Sequence, residues 1–269
     1  MRVIVTGATG LLGKYLVARD ETGIEFHGIS RSDQKASAKN DYLFHQIDVT
    51  DRVNLFRALD EIDPQVIIHT AAEGAVDAVE GKADLYRNLN VAVSSNLATY
   101  SYARDIQYVF VSSNAVFQGS GLAYSDDSGH SPLNDYGRLK AEAENEVVSM
   151  NKDALIVRPI LMYGWPHSGR RLNPVVSWIE SLRAGRSISV VDDVWTEPLE
   201  VWDCADAIWR AIAARATGGI NISGGVRMTL HELEMLVGEV FDLDTRKNQA
   251  ISFEGHTGLT PRPGDTSCG

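Results

Sequence analysis

The chain has 269 residues, with 25 Lys and Arg against 36 Asp and Glu, a net charge of -11 and 44% hydrophobic residues. A length and composition of this kind bury one large core, or a core with a small appended lobe, without metal or disulfide staples. The acidic balance excludes a sequence-independent nucleic-acid binder and a protein held on anionic lipid, since either needs a positive surface field.

Met1 to Val5 enter a strand directly, which leaves no room for a signal peptide. No run approaches the roughly eighteen apolar residues of a membrane span. Short apolar strands are predicted at Arg2 to Thr6, Ile24 to Ile29, Tyr42 to Ile47, Val66 to Thr70, Gln107 to Ser112 and Ala154 to Val157. Helical periodicity lies between them, as in Asp51 to Ile62, where Val53, Leu55, Phe56, Leu59 and Ile62 share a face behind an Asp or Thr cap. Alternating strands and helices with fully apolar strands predict an α/β fold, a doubly wound parallel sheet of Rossmann type. The predicted sheet domain spans residues 1–159. Residues 160–269 form a smaller C-terminal substrate lobe, with helices at Val175 to Ala184, Cys204 to Ala214 and Leu230 to Phe241. Ile188 to Val191 and Ile220 to Ile222 are candidates to return to the main sheet, and His256 to Gly269 reads as a loop or tail with almost nothing to bury.

Two cysteines, Cys204 and Cys268, lack neighbours at ligand spacing, and His69, His130, His167, His231 and His256 show no metal spacing. No metal site is expected, and a cytoplasmic location is the simpler reading of the cysteine usage.

The first strand runs into Thr6-Gly7-Ala8-Thr9-Gly10-Leu11-Leu12-Gly13 and then a helix. Glycines at this spacing allow a tight turn and let backbone approach a pyrophosphate, so Gly7, Gly10, Leu11, Leu12 and Gly13 are candidate dinucleotide contacts. A phosphate-loop NTPase fails, because Ala8 stands where that motif needs Gly and Tyr15 where it needs Ser or Thr. The second strand ends in Ser30-Arg31-Ser32, with no carboxylate at its tip. Arg31 suits a 2'-phosphate, which favours NADP(H) with NAD(H) still open, since Asp33 is close. Asp48 and Val49 fall where an adenine edge would lie, or Asp48 belongs to a helix cap with Thr50 and Asp51.

Tyr136 and Lys140 stand four apart on a predicted helix from Tyr136 to Met150 and share a face. An ammonium beside a phenol favours the phenolate, so Lys140 is expected to lower the Tyr136 pKa and prepare it for proton transfer. That helix follows a strand ending in Ser112-Ser113, at the edge where open α/β sheets bind ligands.

Thr6 to Gly13, Asp48-Val49-Thr50-Asp51, His69 to Ala72, Val111 to Phe117, Tyr136-Gly137-Arg138-Leu139-Lys140 and Arg158-Pro159 together resemble the extended short-chain dehydrogenase/reductase superfamily. Val76 to Glu80, Asn90, Met162-Tyr163-Gly164 and Arg262-Pro263 look like its dTDP-4-dehydrorhamnose reductase branch. The resemblance implies that Tyr136 protonates the substrate oxygen, Lys140 holds the nicotinamide ribose, and Ser113 hydrogen-bonds the substrate carbonyl. It implies cofactor contacts at the glycine turn, Arg31, Asp48, Val49, Ala71, Ala72, Ser112, Arg158 and Pro159. Asn90 matches a helix-bending asparagine near the lysine, with a helix-surface Asn as the other reading.

The implied activity is NADP(H)-dependent reduction of the 4-keto group of a nucleotide-activated 6-deoxysugar. The alternatives are a nucleotide-sugar epimerase, and a regulatory subunit like the β subunit of methionine adenosyltransferase. A homodimer is allowed for. The family usually reads Ser-Thr-Asp-Tyr-Val-Phe where this chain has Ser112-Ser113-Asn114-Ala115-Val116-Phe117, so hydride chemistry is kept while the sugar is in doubt. The family also continues further past its Arg-Pro pair, which leaves the C-terminal edge of the substrate site open. For the diphosphate of the substrate, Arg170 and Arg171 with Trp165 and Asn173, together with Arg262 and Asn114, are the candidates, against a solvated basic loop beside core tryptophans.

Overall fold

Strand β1 (Arg2–Thr6) is buried from Val3 onward, and a strand apolar on both faces needs cover on both. The computed structural model, which describes residues 1–19, 22–32, 42–120, 123–253 and 260–268, supplies that cover from both sides. In chain order follow α1 (Leu11–Val17), β2 (Glu25–Ser30), β3 (Leu43–Gln46), α2 (Arg52–Ile62), β4 (Val66–His69), α3 (Val76–Val79) and α4 (Ala83–Arg87). A π-helical turn, Asn88–Ala92, joins α4 to α5 (Val93–Tyr102), and then come β5 (Gln107–Val111), α6 (Asp135–Met150) and β6 (Leu155–Pro159).

Beyond Pro159 the chain makes β7 (Met162–Tyr163), α7 (Pro174–Arg183), β8 (Ser189–Val191), β9 (Trp195–Thr196), β10 (Leu199–Glu200) and α8 (Val201–Ala213). It closes with β11 (Gly218–Ile222), β12 (Met228–Thr229), α9 (Leu230–Val240) and β13 (Gln249–Ile251). The seven-stranded main sheet has the order β11-β6-β5-β4-β1-β2-β3, with every pair parallel. Leu55, Leu59, Leu97, Leu139 and Val147 of α2, α5 and α6 pack on one face. Leu12, Leu16, Ile208 and Ile212 of α1 and α8 pack on the other. This is the expected doubly wound Rossmann-type arrangement.

Two segments differ from the sequence reading. Ile220 to Ile222 does join the main sheet, within β11 beside β6, but Ile188 to Val191 does not: β8 pairs instead with β13, which the apolar pattern did not mark. The closing segment is no free tail. Asp265, Thr266 and Ser267 are buried, Trp195 bridges to Asp265 and Tyr124 to Cys268, and Arg227 binds the Asp265 carboxylate at 2.7 Å. Its anchoring is polar, so a hydrophobicity reading misses it. Asp33 and His256 lie outside the described residues. Among the described residues no helix is long and apolar enough to cross a membrane.

Candidate active site

The glycine turn is shaped by contacts that exclude side chains. Gly7 has φ +71°, and a Cβ there would stand 2.7 Å from Thr70 Oγ1 and 2.9 Å from the Ala71 nitrogen. A Cβ on Gly13 would stand 2.3 Å from the Gly7 carbonyl oxygen, so α1 packs directly against the turn. Gly10 is exposed and caps α1 without a side-chain hydrogen bond, which leaves backbone N–H groups of the first turn open to a ligand. Thr9 and Ser30 hydroxyls meet at 2.7 Å and tie the turn to the end of β2. These residues fit the diphosphate of a dinucleotide, with Gly10 and Leu11 at the open side, Leu12 buried behind them, and Ala71 beside the turn, followed by Ala72, after the end of β4. Gly13→Ala should destabilise the fold by about 1–3 kcal/mol through this overlap; a variant that melts with the wild-type chain would show that the turn can open.

Arg31 is exposed at the tip of β2, and its charge reaches Asp48. Asp48 Oδ1 accepts from the Thr50 N–H at 2.9 Å and its hydroxyl at 2.7 Å, while Asp51 accepts from the Asn54 N–H and caps α2. The hydroxyl and amide of Thr50, helped by Arg31, hold the Asp48 carboxyl below its usual range. Asp48 therefore forms the turn before the helix, and Val49 behind it is buried.

The first turn of α6 is pressed onto the loop that carries Ser113. A Cβ on Gly137 would stand 2.2 Å from the Ala115 carbonyl oxygen, and Asn134 caps the helix by accepting from the Gly137 N–H at 2.8 Å. This close approach sets the Tyr136 hydroxyl beside that of Ser113. Both line a cavity of about 720 Å³ together with Asn114, Asn134, Arg171, Trp195, Thr196, Arg262 and Thr266.

Lys140 lies one turn further along α6, buried, donating to the Val111 carbonyl at 2.9 Å and standing 5.0 Å from the centre of the Phe110 ring. Burial pushes its pKa down to about 8 against the opposing charge of Glu144. His69 stacks on the same Phe110 ring, its Nδ1 is 2.7 Å from Thr6 Oγ1, and burial with the Lys140 charge drives its pKa down to about 3, so the imidazole is neutral.

The expected effect of Lys140 on Tyr136 is not what the structure gives. Burial raises the Tyr136 pKa, and the groups that oppose it are Ser113 through its hydrogen bond and Arg171 through its charge; Glu73 adds to the rise. Lys140 donates to Val111 and is not among the groups that act on Tyr136, so with burial prevailing Tyr136 keeps its proton at neutral pH.

Other predicted cofactor contacts also have partners inside the fold. Arg158 is buried, but both Nε and Nη2 bind the Glu144 carboxylate and Nη1 donates to the Asp126 carbonyl at 2.9 Å, so its donors are used inside the fold. Pro159 ends β6 opposite Ile222, and Ser112 is buried against Glu144. Asn90 is no surface residue: it is buried in the π-helical turn, accepts from the Glu73 N–H at 2.8 Å and donates to the Glu73 carbonyl at 3.1 Å, clamping the loop after β4.

The basic loop after β7 is divided. Arg171 lines the cavity, whereas Trp165 binds α1 through its backbone and packs its ring edge-on against Phe241. Asn173 caps α7 and donates to the Gly164 carbonyl at 2.6 Å, a structural use. Arg262 reaches the cavity and pairs with Asp77 at 2.7 Å. Asn114 donates to Thr266 Oγ1 and lies within 3.4 Å of the Ser113 hydroxyl, joining the closing segment to the serine.

Sequence reasoning missed Glu73, Asp77, Asn134, Glu144 and Thr266. An Asn directly before a helical pattern is a cap signal, so Asn134 was open to discovery. Asp77 and Thr266 meet partners 185 and 152 positions away, and local pattern carries no such information.

The chain matches the RmlD substrate binding domain family over residues 1–267. It is 30% identical to methionine adenosyltransferase 2 subunit beta of Rattus norvegicus, across 93% of this chain and 75% of that protein. It is 29% identical to a dTDP-4-keto-6-deoxy-D-glucose reductase of Streptomyces niveus, across 100% of this chain and 88% of that one. The structure of dTDP-4-dehydrorhamnose reductase from Bacillus anthracis in complex with NADP superposes with a TM-score of 0.86 at 27% identity, covering 100% of this chain and 90% of that chain. With the glycine turn, the Tyr136 and Lys140 helix and the family match in place, the chain belongs to the RmlD substrate binding domain family, the dTDP-4-dehydrorhamnose reductase-like branch of the extended short-chain dehydrogenase/reductases.

Proposed function

We propose that the protein is an NADP(H)-dependent reductase of the 4-keto group of a nucleotide-activated 6-deoxysugar. The observation that carries this reading is the pair of hydroxyls, Ser113 and Tyr136, facing one cavity beyond the carboxyl end of β5. When bound, the nicotinamide supplies the hydride. Ser113 and Tyr136 hydrogen-bond the carbonyl oxygen, and Tyr136, protonated at neutral pH, gives it the proton. Arg171 and Arg262 bring positive charge to the cavity for a diphosphate. Arg31 serves the 2'-phosphate that separates NADPH from NADH.

An NADPH and NADH consumption assay against dTDP-, GDP- and UDP-linked 4-keto-6-deoxysugars tests the reading. Stoichiometric oxidation of the cofactor supports a reductase; sugar conversion without net oxidation would make the protein an epimerase. In the reductive direction kcat/KM should fall as pH rises through about 8, where buried Lys140 loses the proton with which it would hold the nicotinamide ribose. A flat profile between about pH 6 and 10 would separate Lys140 from the chemistry.

The 30% identity to a methionine adenosyltransferase β subunit supports a second reading, a dinucleotide-binding regulatory subunit. A synthetase that co-purifies with the chain, together with no turnover across the panel, would favour it.

A further inference from the structure

β9 and the closing segment meet along one wall of the cavity. The Trp195 N–H donates to the Gly264 carbonyl at 2.7 Å, and Trp195 and Asp265 form a parallel bridge. Side chains alternate along extended backbone, and residues in register across a parallel pair share a side. Trp195 and Asp265 therefore project one way. Arg227 holds both there, its guanidinium 3.7 Å from the centre of the Trp195 ring and its Nη2 and Nε 2.7 and 3.0 Å from one Asp265 carboxylate oxygen. Thr196 and Thr266, the next residues, project the other way, and both line the cavity.

Neither hydroxyl is fully used. Thr196 is 4% exposed, and its Oγ1 has no hydrogen-bond partner among the described residues. Thr266 is 3% exposed; its Oγ1 accepts from Asn114 Nδ2, and among the described residues it gives its own proton to no acceptor. An unpaired buried hydroxyl costs free energy, so two of them in a cavity wall mark a place where a ligand supplies the missing bonds. Asn114 follows Ser113 and lies within 3.4 Å of its hydroxyl, which puts the threonine pair at the reacting end of the cavity. Both groups are neutral and each can donate and accept, which suits a ligand hydroxyl better than a phosphate.

We propose that Thr196 and Thr266 recognise the hydroxyl on the sugar carbon next to the keto group, and so select which sugars are reduced. The proposal rests on the keto-sugar reading above. With the C4 carbonyl held by Ser113 and Tyr136, the neighbouring ring carbons are C3 and C5. In a 6-deoxysugar C5 carries the methyl group, so of the two only C3 carries a hydroxyl. Thr266 donates to that oxygen, and Thr196 accepts its proton. A sugar without the C3 hydroxyl leaves both threonines unpaired.

The test is kcat/KM for a dTDP-linked 4-keto-6-deoxysugar and its 3-deoxy counterpart, with GDP- and UDP-linked pairs beside them, in the wild-type chain, Thr196→Val and Thr196→Ser. The wild-type chain should prefer the 3-hydroxy sugar by about tenfold or more. Thr196→Val keeps the shape of the side chain and removes a hydroxyl with no partner among the described residues, so its melting temperature should equal or exceed that of the wild type. Most of the preference should disappear in this variant and return in Thr196→Ser. A threonine that only supports the fold gives the reverse, a lower melting temperature with the preference kept. That result, or a wild-type chain indifferent to the C3 hydroxyl, overturns the proposal and leaves the reductase reading standing. A wild-type chain that turns over no member of the set overturns the reading and the proposal together.

Discussion

Replacing Tyr136 by Phe is expected to lower turnover of a 4-keto nucleotide sugar by about 10²- to 10⁴-fold, the usual worth of a positioned proton donor, while the dissociation constant for NADPH stays within about twofold. The substitution removes one oxygen and keeps the ring that packs at the start of α6, so the fold is preserved. Ser113 remains in the cavity to bind the carbonyl, but its hydroxyl is already bonded to the Ala115 N–H at 3.1 Å and leans on Asn114 at 3.4 Å. It cannot take over the proton. Steady-state turnover beside a fluorescence titration of NADPH separates the two effects, and a variant that turns over at the wild-type rate would remove Tyr136 from the chemistry.

Arg158→Ala should produce the largest loss of stability, about 3–5 kcal/mol, because it strands a buried carboxylate. Glu144 and Arg158 have side-chain exposures of 2% and 8%, and three nitrogen-to-oxygen contacts of 2.8 to 3.1 Å join them. At this chain length the melting temperature should fall by roughly 10 °C. Burial alone would raise the Glu144 carboxyl, but hydrogen bonds from His130 and Arg158, the Arg158 charge and Ser112 outweigh it and hold the group below its ordinary 4.5. With the folded value depressed, the contribution is fully present above 4.5 and is lost as pH falls through the folded value. In the variant the uncompensated carboxyl rises instead, so the gap in stability between variant and wild type should narrow in acid. Chemical denaturation at neutral pH and near pH 5 measures it; a gap that is the same at both would place the effect in lost packing.

What could be read in the sequence was what short-range physics controls. Apolar runs gave β1, β2, β4, β5 and β6 to within two residues, since strands buried on both faces must be apolar throughout. The glycine turn and the Tyr136 to Lys140 spacing were legible because each is a local geometric requirement. The role of Arg158 was not: an Arg after an apolar strand looks the same whether it faces a ligand or a buried Glu144. The direction of the Tyr136 pKa was hidden for a similar reason, since helical spacing brings Lys140 near but does not reveal that burial of the phenol prevails. The docking of the segment from Asp265 to Ser267 and the pairing of β8 with β13 depend on polar contacts between distant segments, and pattern-based reading has no term for these.

The order of strands has a consequence for synthesis on the ribosome. By the time His69 has emerged, β3, β2, β1 and β4 can already pair, so one half of the sheet can assemble early. β5 and β6 extend it, but β11, the strand that covers β6, is made only after residues 160–217 have been spun out. At ordinary elongation rates that interval lasts roughly 3–12 s. Throughout it the edge of Leu155–Pro159, a buried apolar strand in the finished fold, stands open to mispairing. Nascent chains paused between β6 and β11 are therefore the species on which chaperone demand and aggregation should concentrate.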